Sequence, residues 1–179
     1  MSRATARPDR IGRLVPPALG GQLHRLPPRL TFGMTGPFNG QRRRVEAVRA
    51  IFTAVPFAAV VETGTFRALT TLFLREITKA PIVTIEINQR YFDYAGRRLR
   101  GRADVHQRLG HSAAVLREIA SDATWTAGPT FFSLDAHWHD DLPLADELRA
   151  IRPAWRDFVA LVDDFRVDPD PGYAYDDYG

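Results

Sequence analysis

The chain has no cysteine, a single lysine (Lys79), two methionines and no apolar run approaching the ~18 residues of a membrane span. Without cysteine there is no disulfide framework, no thiolate nucleophile and no cysteine metal site. Nearly all of the 24 basic residues are therefore arginine, and the 21 acids leave a net charge of only +3. That balance gives no reason to expect a nucleic-acid partner. The basic N-terminus is not followed by an apolar stretch of secretory type, so a cytoplasmic protein is the default expectation. What remains is 179 residues of ordinary apolar and charged content, enough for one sizeable core.

Residues 1–30 are rich in Arg and Pro, with Pro16-Pro17, Gly20-Gly21 and Pro27-Pro28. Such a stretch supports neither a long helix nor a central strand, and it reads as a poorly ordered basic arm. Residues 31–179 read as one domain. The segment Phe32–Gly40 is turn-rich and aromatic. A helix follows from about Gln41, with Val45, Val48, Ile51 and Phe52 as its packing stripe and Arg42, Arg43, Arg44 and Arg49 expected opposite.

The stretch Val60-Val61-Glu62-Thr63-Gly64-Thr65-Phe66-Arg67-Ala68 organises the rest. An apolar run ends abruptly at an acid and a glycine. Beyond them Leu69, Leu72, Phe73 and Ile77 take up helical spacing. Strand, acidic Gly turn and helix is how an α/β protein presents a helix N-terminus to a ligand, and Gly64 would let backbone approach that ligand. The spacing is not that of the dinucleotide fingerprint, which needs a third, closer glycine.

From Phe57 onward strands and helices alternate, which argues for a parallel sheet covered on both faces. Strands are expected at Pro81–Ile87, Ala103–Leu109 (polar enough for an edge), Thr130–Leu134 and Phe158–Val162. Asn88 is a plausible N-cap for a helix to about Leu99, Ser112 for the next, and Asp141 with Pro143 for the last. Glu62, Glu86, Asp135, Asp163 and Asp164 all fall at or just beyond strand C-termini. In an open parallel sheet those ends share one edge, and ligands bind in the crevice outside them. So many acids together would repel one another unless a cation or a ligand's hydroxyls and amines compensated. Glu86, about 20 residues after the Gly turn, suits ribose hydroxyls. Asp135, Asp163 and Asp164 form a hard oxygen set suited to Mg²⁺, and His137 or His139 could act as a base.

In these stations the chain resembles the class I S-adenosylmethionine-dependent methyltransferases from about Phe57 to Phe165. The resemblance implies a Rossmann-like α/β fold: an open parallel sheet of order 3-2-1-4-5 with helices on both faces. Glu62, Thr63, Gly64 and Thr65 would cradle the amino-acid end of S-adenosylmethionine. Glu86 would take its ribose, and Gly110, His111 and Ser112 would line its adenine. Asp135 would touch the cofactor as well as a metal. The runs Ser133-Leu134-Asp135-Ala136-His137 and Val162-Asp163-Asp164-Phe165 are similar to the metal motifs of the Mg²⁺-dependent O-methyltransferases of the catechol and macrolide-sugar type. That likeness implies O-methylation of a small hydroxylated molecule chelated to Mg²⁺ on Asp135, Asp163 and Asp164, with His137 or His139 taking the proton.

Two departures stand out. Trp138 occupies the position of the lysine base of catechol-type enzymes. Only fifteen residues follow Asp164, whereas the family continues with a helix and an antiparallel hairpin. The expectation is therefore a domain lacking that hairpin, whose open edge at Phe158–Val162 invites a homo-oligomer. Two other readings share the scaffold: a non-catalytic nucleotide-binding or oligomerising domain, and a cephalosporin-hydroxylase-like enzyme.

Overall fold

In the computed structural model, residues 36–137 and 141–163 are described. The arm expected over 1–30, Trp138, His139, Asp164 and the tyrosine-rich tail lie outside them.

A 3-10 turn, Pro37–Gly40, leads into α1 (Arg42–Ala54). Strand and helix then alternate as β1 (Ala59–Thr63), α2 (Leu69–Ile77), β2 (Ile82–Glu86), α3 (Gln89–Leu99), β3 (Val105–Leu109) and α4 (Ser112–Ile119). A short α5 (Ala123–Thr126), β4 (Thr130–Leu134), α6 (Leu144–Ala154) and β5 (Phe158–Val162) complete the described chain. All four strand pairings are parallel, and the order is β3-β2-β1-β4-β5. The expected sheet is thus the observed one.

Strand alternation decides what each face receives. Val60 is in register with Ile82 and Phe131, and all three join the core under α1 and α2. The next residue, Val61, is in register with Val83 and Phe132, and these join the core under α4, α5 and α6. β1, β2 and β4 are buried along their whole length, as strands covered on both faces must be. β3 and β5 are only partly buried and form the two edges. Trp155 closes the second core, its Nε1–H donating to the Trp125 carbonyl at 2.6 Å.

Local signals set most boundaries. Asn88 caps α3 as expected, its side chain accepting from the backbone N–H groups of Arg90 and Tyr91. Ser112 does not cap α4: His111 holds the N-cap position and Ser112 is the first helical residue, its side chain turned inward. Asp141 does not open α6 either. That helix begins at Leu144 behind Pro143, and Asp141 instead faces His111, Oδ2 to Nε2 3.4 Å. The third correction concerns α1. Arg42 and Arg43 are exposed, but Arg44 leads the Val48–Ile51 stripe and is turned inward.

Candidate active site at the strand ends

The sheet order reverses direction between β1 and β4, and the crevice opens outside their C-terminal ends. Here Gly64 has φ +84°, and a Cβ on it would lie 2.2 Å from the Asp135 carbonyl oxygen. The residue must be glycine because the turn after β1 presses on the turn after β4, not primarily because a ligand comes near. The adjoining turn carries Phe66 and Ala68 at φ 45° and 57°, a backbone region costly for residues with a Cβ. Ala68 is wholly buried.

Glu62 lies on the α2 face of the sheet, where its register neighbour Thr84 also points. Its Oε2 accepts from the Thr71 hydroxyl at 2.5 Å and the Thr84 hydroxyl at 2.6 Å. Thr65 Oγ1 lies 2.6 Å from Thr84 Oγ1, and because Thr84 spends its proton on Glu62, Thr65 is the donor. Burial pushes the Glu62 carboxyl up from its ordinary 4.5 to about 7, against the pull of the Thr71 and Thr84 hydrogen bonds. Glu62, Thr63 and Thr65 are therefore interior residues that shape the turn, while Gly64 is half-buried at its tip.

Glu86 bridges two turns. Its Oε2 accepts from Phe66 N–H at 2.7 Å and its Oε1 from Asn88 N–H at 2.8 Å. Each oxygen keeps a second lone pair for a ligand hydroxyl. Burial raises the Glu86 carboxyl, and these backbone donors hold it down. Phe66 and Tyr91 meet edge to face at 4.6 Å beside it. Gly110 follows β3, its N–H donating to the Glu86 carbonyl at 2.9 Å. That bond brings the Gly110-His111-Ser112 loop alongside the β2 end.

Across the switch point, Asp135, His137, Glu147 and Asp163 line a small open recess. Asp135 is half-buried and His137 exposed. Asp163 continues the alternation of β5, in which Leu161 belongs to the α1 face, and it is 5 % exposed. There it forms an ion pair with Arg44, through Nη1 and Oδ1. Among the described residues, no three of Asp, Glu and His gather closely enough to hold a metal ion. One of the two acids expected to do so, of those described, is already neutralised by a guanidinium. The described part of the expected donor set, Asp135 and Asp163, does not by itself make a divalent-ion site.

Glu147 escaped the sequence reading. It is 1 % exposed, on the inner side of α6, and faces Ser112 of α4 and Thr63 of β1. Burial drives its carboxyl up, opposed by the two hydroxyls and by His111. No hydrogen bond of ordinary geometry reaches Glu147 Oε1, Ser112 Oγ or Thr63 Oγ1 among the described residues. A signal was available: Glu147 falls between Leu144 and Ile151 on the apolar stripe, where a charged residue needs a reason. Arg44 carried a weaker one, being i−4 to Val48 on the packed face of α1.

No protein-family model and no curated protein matches the chain. Solved structures do. The O-methyltransferase from Bacillus cereus in complex with SAH superposes with a TM-score of 0.57 at 16 % identity, over 80 % of this chain and 63 % of that one. The O-methyltransferase TomG from Streptomyces achromogenes, involved in tomaymycin synthesis and in complex with SAM, gives 0.54 at 16 %, over 80 % and 62 %. Cofactor-bound Rv0187 from MTB gives 0.54 at 21 %, over 89 % and 68 %. This chain thus spans roughly two thirds of the length of those proteins. Its fold is that of the class I methyltransferases, a five-stranded parallel sheet of order 3-2-1-4-5.

Proposed function

We propose that the chain is a methyltransferase that binds S-adenosylmethionine across the β1–β4 switch point and methylates an oxygen of a small hydroxylated molecule. The observation that carries this is Glu86: a buried carboxylate fixed by Phe66 N–H and Asn88 N–H, at the end of the strand next to the Gly64 turn. Such a group accepts two vicinal hydroxyls at the ligand-binding edge of an open sheet. The SAH and SAM held by similar folds support adenosyl sulfonium as the ligand.

In this reading the Gly64 turn and Asp135 flank the amino-acid end, Glu86 the ribose, and His111 and Ser112 the adenine. The methyl group passes to the acceptor oxygen as the carbon–sulfur bond breaks. Sulfur leaves as the neutral thioether, and the acceptor's proton goes to a base. His137, exposed at the recess beside Asp135, is the candidate for that base, and His139 is a second, outside the described residues. The transfer needs alignment of oxygen, carbon and sulfur above all, which a preorganised crevice supplies. Mg²⁺ takes no part in this proposal, because Arg44 already holds Asp163.

Calorimetry with S-adenosylmethionine on the wild type and Glu86→Gln tests the cofactor half. Binding should weaken by roughly 10- to 100-fold in the variant, the cost of ~1.5–3 kcal/mol for charged hydrogen bonds. Absence of binding to the wild type would sink the proposal in favour of a non-catalytic domain. Transfer of labelled methyl to a panel of polyhydroxylated acceptors tests the other half.

A further inference from the structure

The geometry points to Arg44 as the resident cation of the β4–β5 half of the crevice, standing in for a divalent ion and making the site metal-independent. Three observations combine. Arg44 and Asp163 are both removed from water, their side chains 12 % and 5 % exposed, and are joined as an ion pair. Arg44 is set there by a demanding approach: the preceding turn holds Phe38 and Asn39 at φ 48° and 57°. Phe38 is pinned to α2, through its N–H to Thr70 Oγ1 at 3.1 Å and its ring against Phe73 at 5.7 Å. Third, the remaining described acids of the recess do not gather into a metal-sized cluster around Asp163.

A divalent ion needs carboxylate oxygens at ~2.0–2.2 Å and gives up its water reluctantly. Seated on Asp163, it would stand beside a guanidinium that cannot lose its charge. If it displaced Arg44, it would leave that cation buried without its counter-charge. Either route disfavours the metal. Arg44 acts through Asp163, so its role is positional: it holds that carboxylate in place and occupied, away from coordination. The inference concerns ion occupancy and holds whether or not the crevice transfers methyl groups.

Mn²⁺ titration followed by electron paramagnetic resonance reads this directly on the full chain. The wild type and Arg44→Lys, which keeps the charge, should show no saturable site up to ~1 mM, a very weak affinity. Arg44→Gln should gain one site, at least ~10-fold tighter than any in the wild type, and Asp163→Asn in that background should remove it. A wild-type site tighter than ~100 µM that Asp163→Asn abolishes would overturn the inference. So would a folded Arg44→Gln that binds no better than the wild type. If Arg44→Gln fails to fold, the wild-type and Asp163→Asn titrations decide alone: no site in either upholds it, and a wild-type site lost in Asp163→Asn overturns it. S-adenosylmethionine calorimetry on the same samples reports the cofactor proposal separately.

Discussion

The two halves of the crevice handle their acids by opposite means. At the ends of β1 and β2, Glu62 and Glu86 are satisfied by neutral donors: threonine hydroxyls for the first, backbone N–H groups for the second. At the end of β5, Asp163 is satisfied by a full positive charge from a helix 119 residues earlier in the chain. Neutral donors rigidify the turn but do not offset the burial of the acid, which raises Glu62 to about 7. A guanidinium instead meets its partner with a full charge that it does not lose. One half is thus organised by hydrogen bonding and the other by charge, and each should break in its own way.

The largest break is expected on the charged side. Arg44→Ala should cost about 3–5 kcal/mol of stability in denaturant unfolding, because it strands a buried carboxylate. Arg44→Met combined with Asp163→Leu should recover most of that loss, since an apolar pair replaces a buried ion pair at little cost. Equal loss in the double variant would show that the charges are not what the fold depends on there.

The neutral side should reveal itself through pH. Glu62 has its folded pKa raised, so its contribution is fully present below about 4.5 and is lost as pH rises through about 7. Between pH 4.5 and 8 the wild type should therefore lose up to about 3 kcal/mol relative to Glu62→Gln. Unfolding curves of the two proteins at several pH values measure the difference. Parallel pH dependences would mean that Glu62 ionises as an ordinary acid.

The smallest effect is expected at Ala68. Ala68→Gly relieves a left-handed residue worth about 1–2 kcal/mol but removes a buried methyl group worth about 1 kcal/mol. The net change should stay within about 1 kcal/mol in either direction. A large loss would show that packing of this methyl, more than hydrogen bonding, holds the turn.

Much of the hydrogen-bonded half was legible in the sequence. Across the sheet as a whole, apolar runs bounded by turn signals placed the buried β4 and the partly buried edge β5 to the residue, at Thr130–Leu134 and Phe158–Val162. Asn88 announces its cap through a local geometry that depends on two neighbours only. Gly64 read as a place where a ligand could approach the backbone, but the atom that a Cβ there would meet belongs to Asp135, 71 residues away. The charged half was harder to read for the same cause. Three consecutive arginines look alike along a helix, and beyond the i−4 spacing of Arg44 to Val48 it takes the face that Asp163 occupies at the end of β5 to separate Arg44 from Arg42 and Arg43. Glu147 was overlooked because the leucines around it explained the helix without it. The Mg²⁺ expectation rested on residue types at strand ends, and residue types do not show that Asp163 has Arg44 for a partner.

Glu62 and Thr63 are consecutive residues of one central strand, yet they serve chambers on opposite sides of the sheet: one with Thr71 and Thr84, the other with Ser112 and Glu147. Insertion or deletion of a single residue within Ala59–Thr63 would exchange their sides, driving the carboxylate into the wall that Val61, Phe132 and Trp155 share. A change in length is therefore tolerable only in the loops that flank the strand.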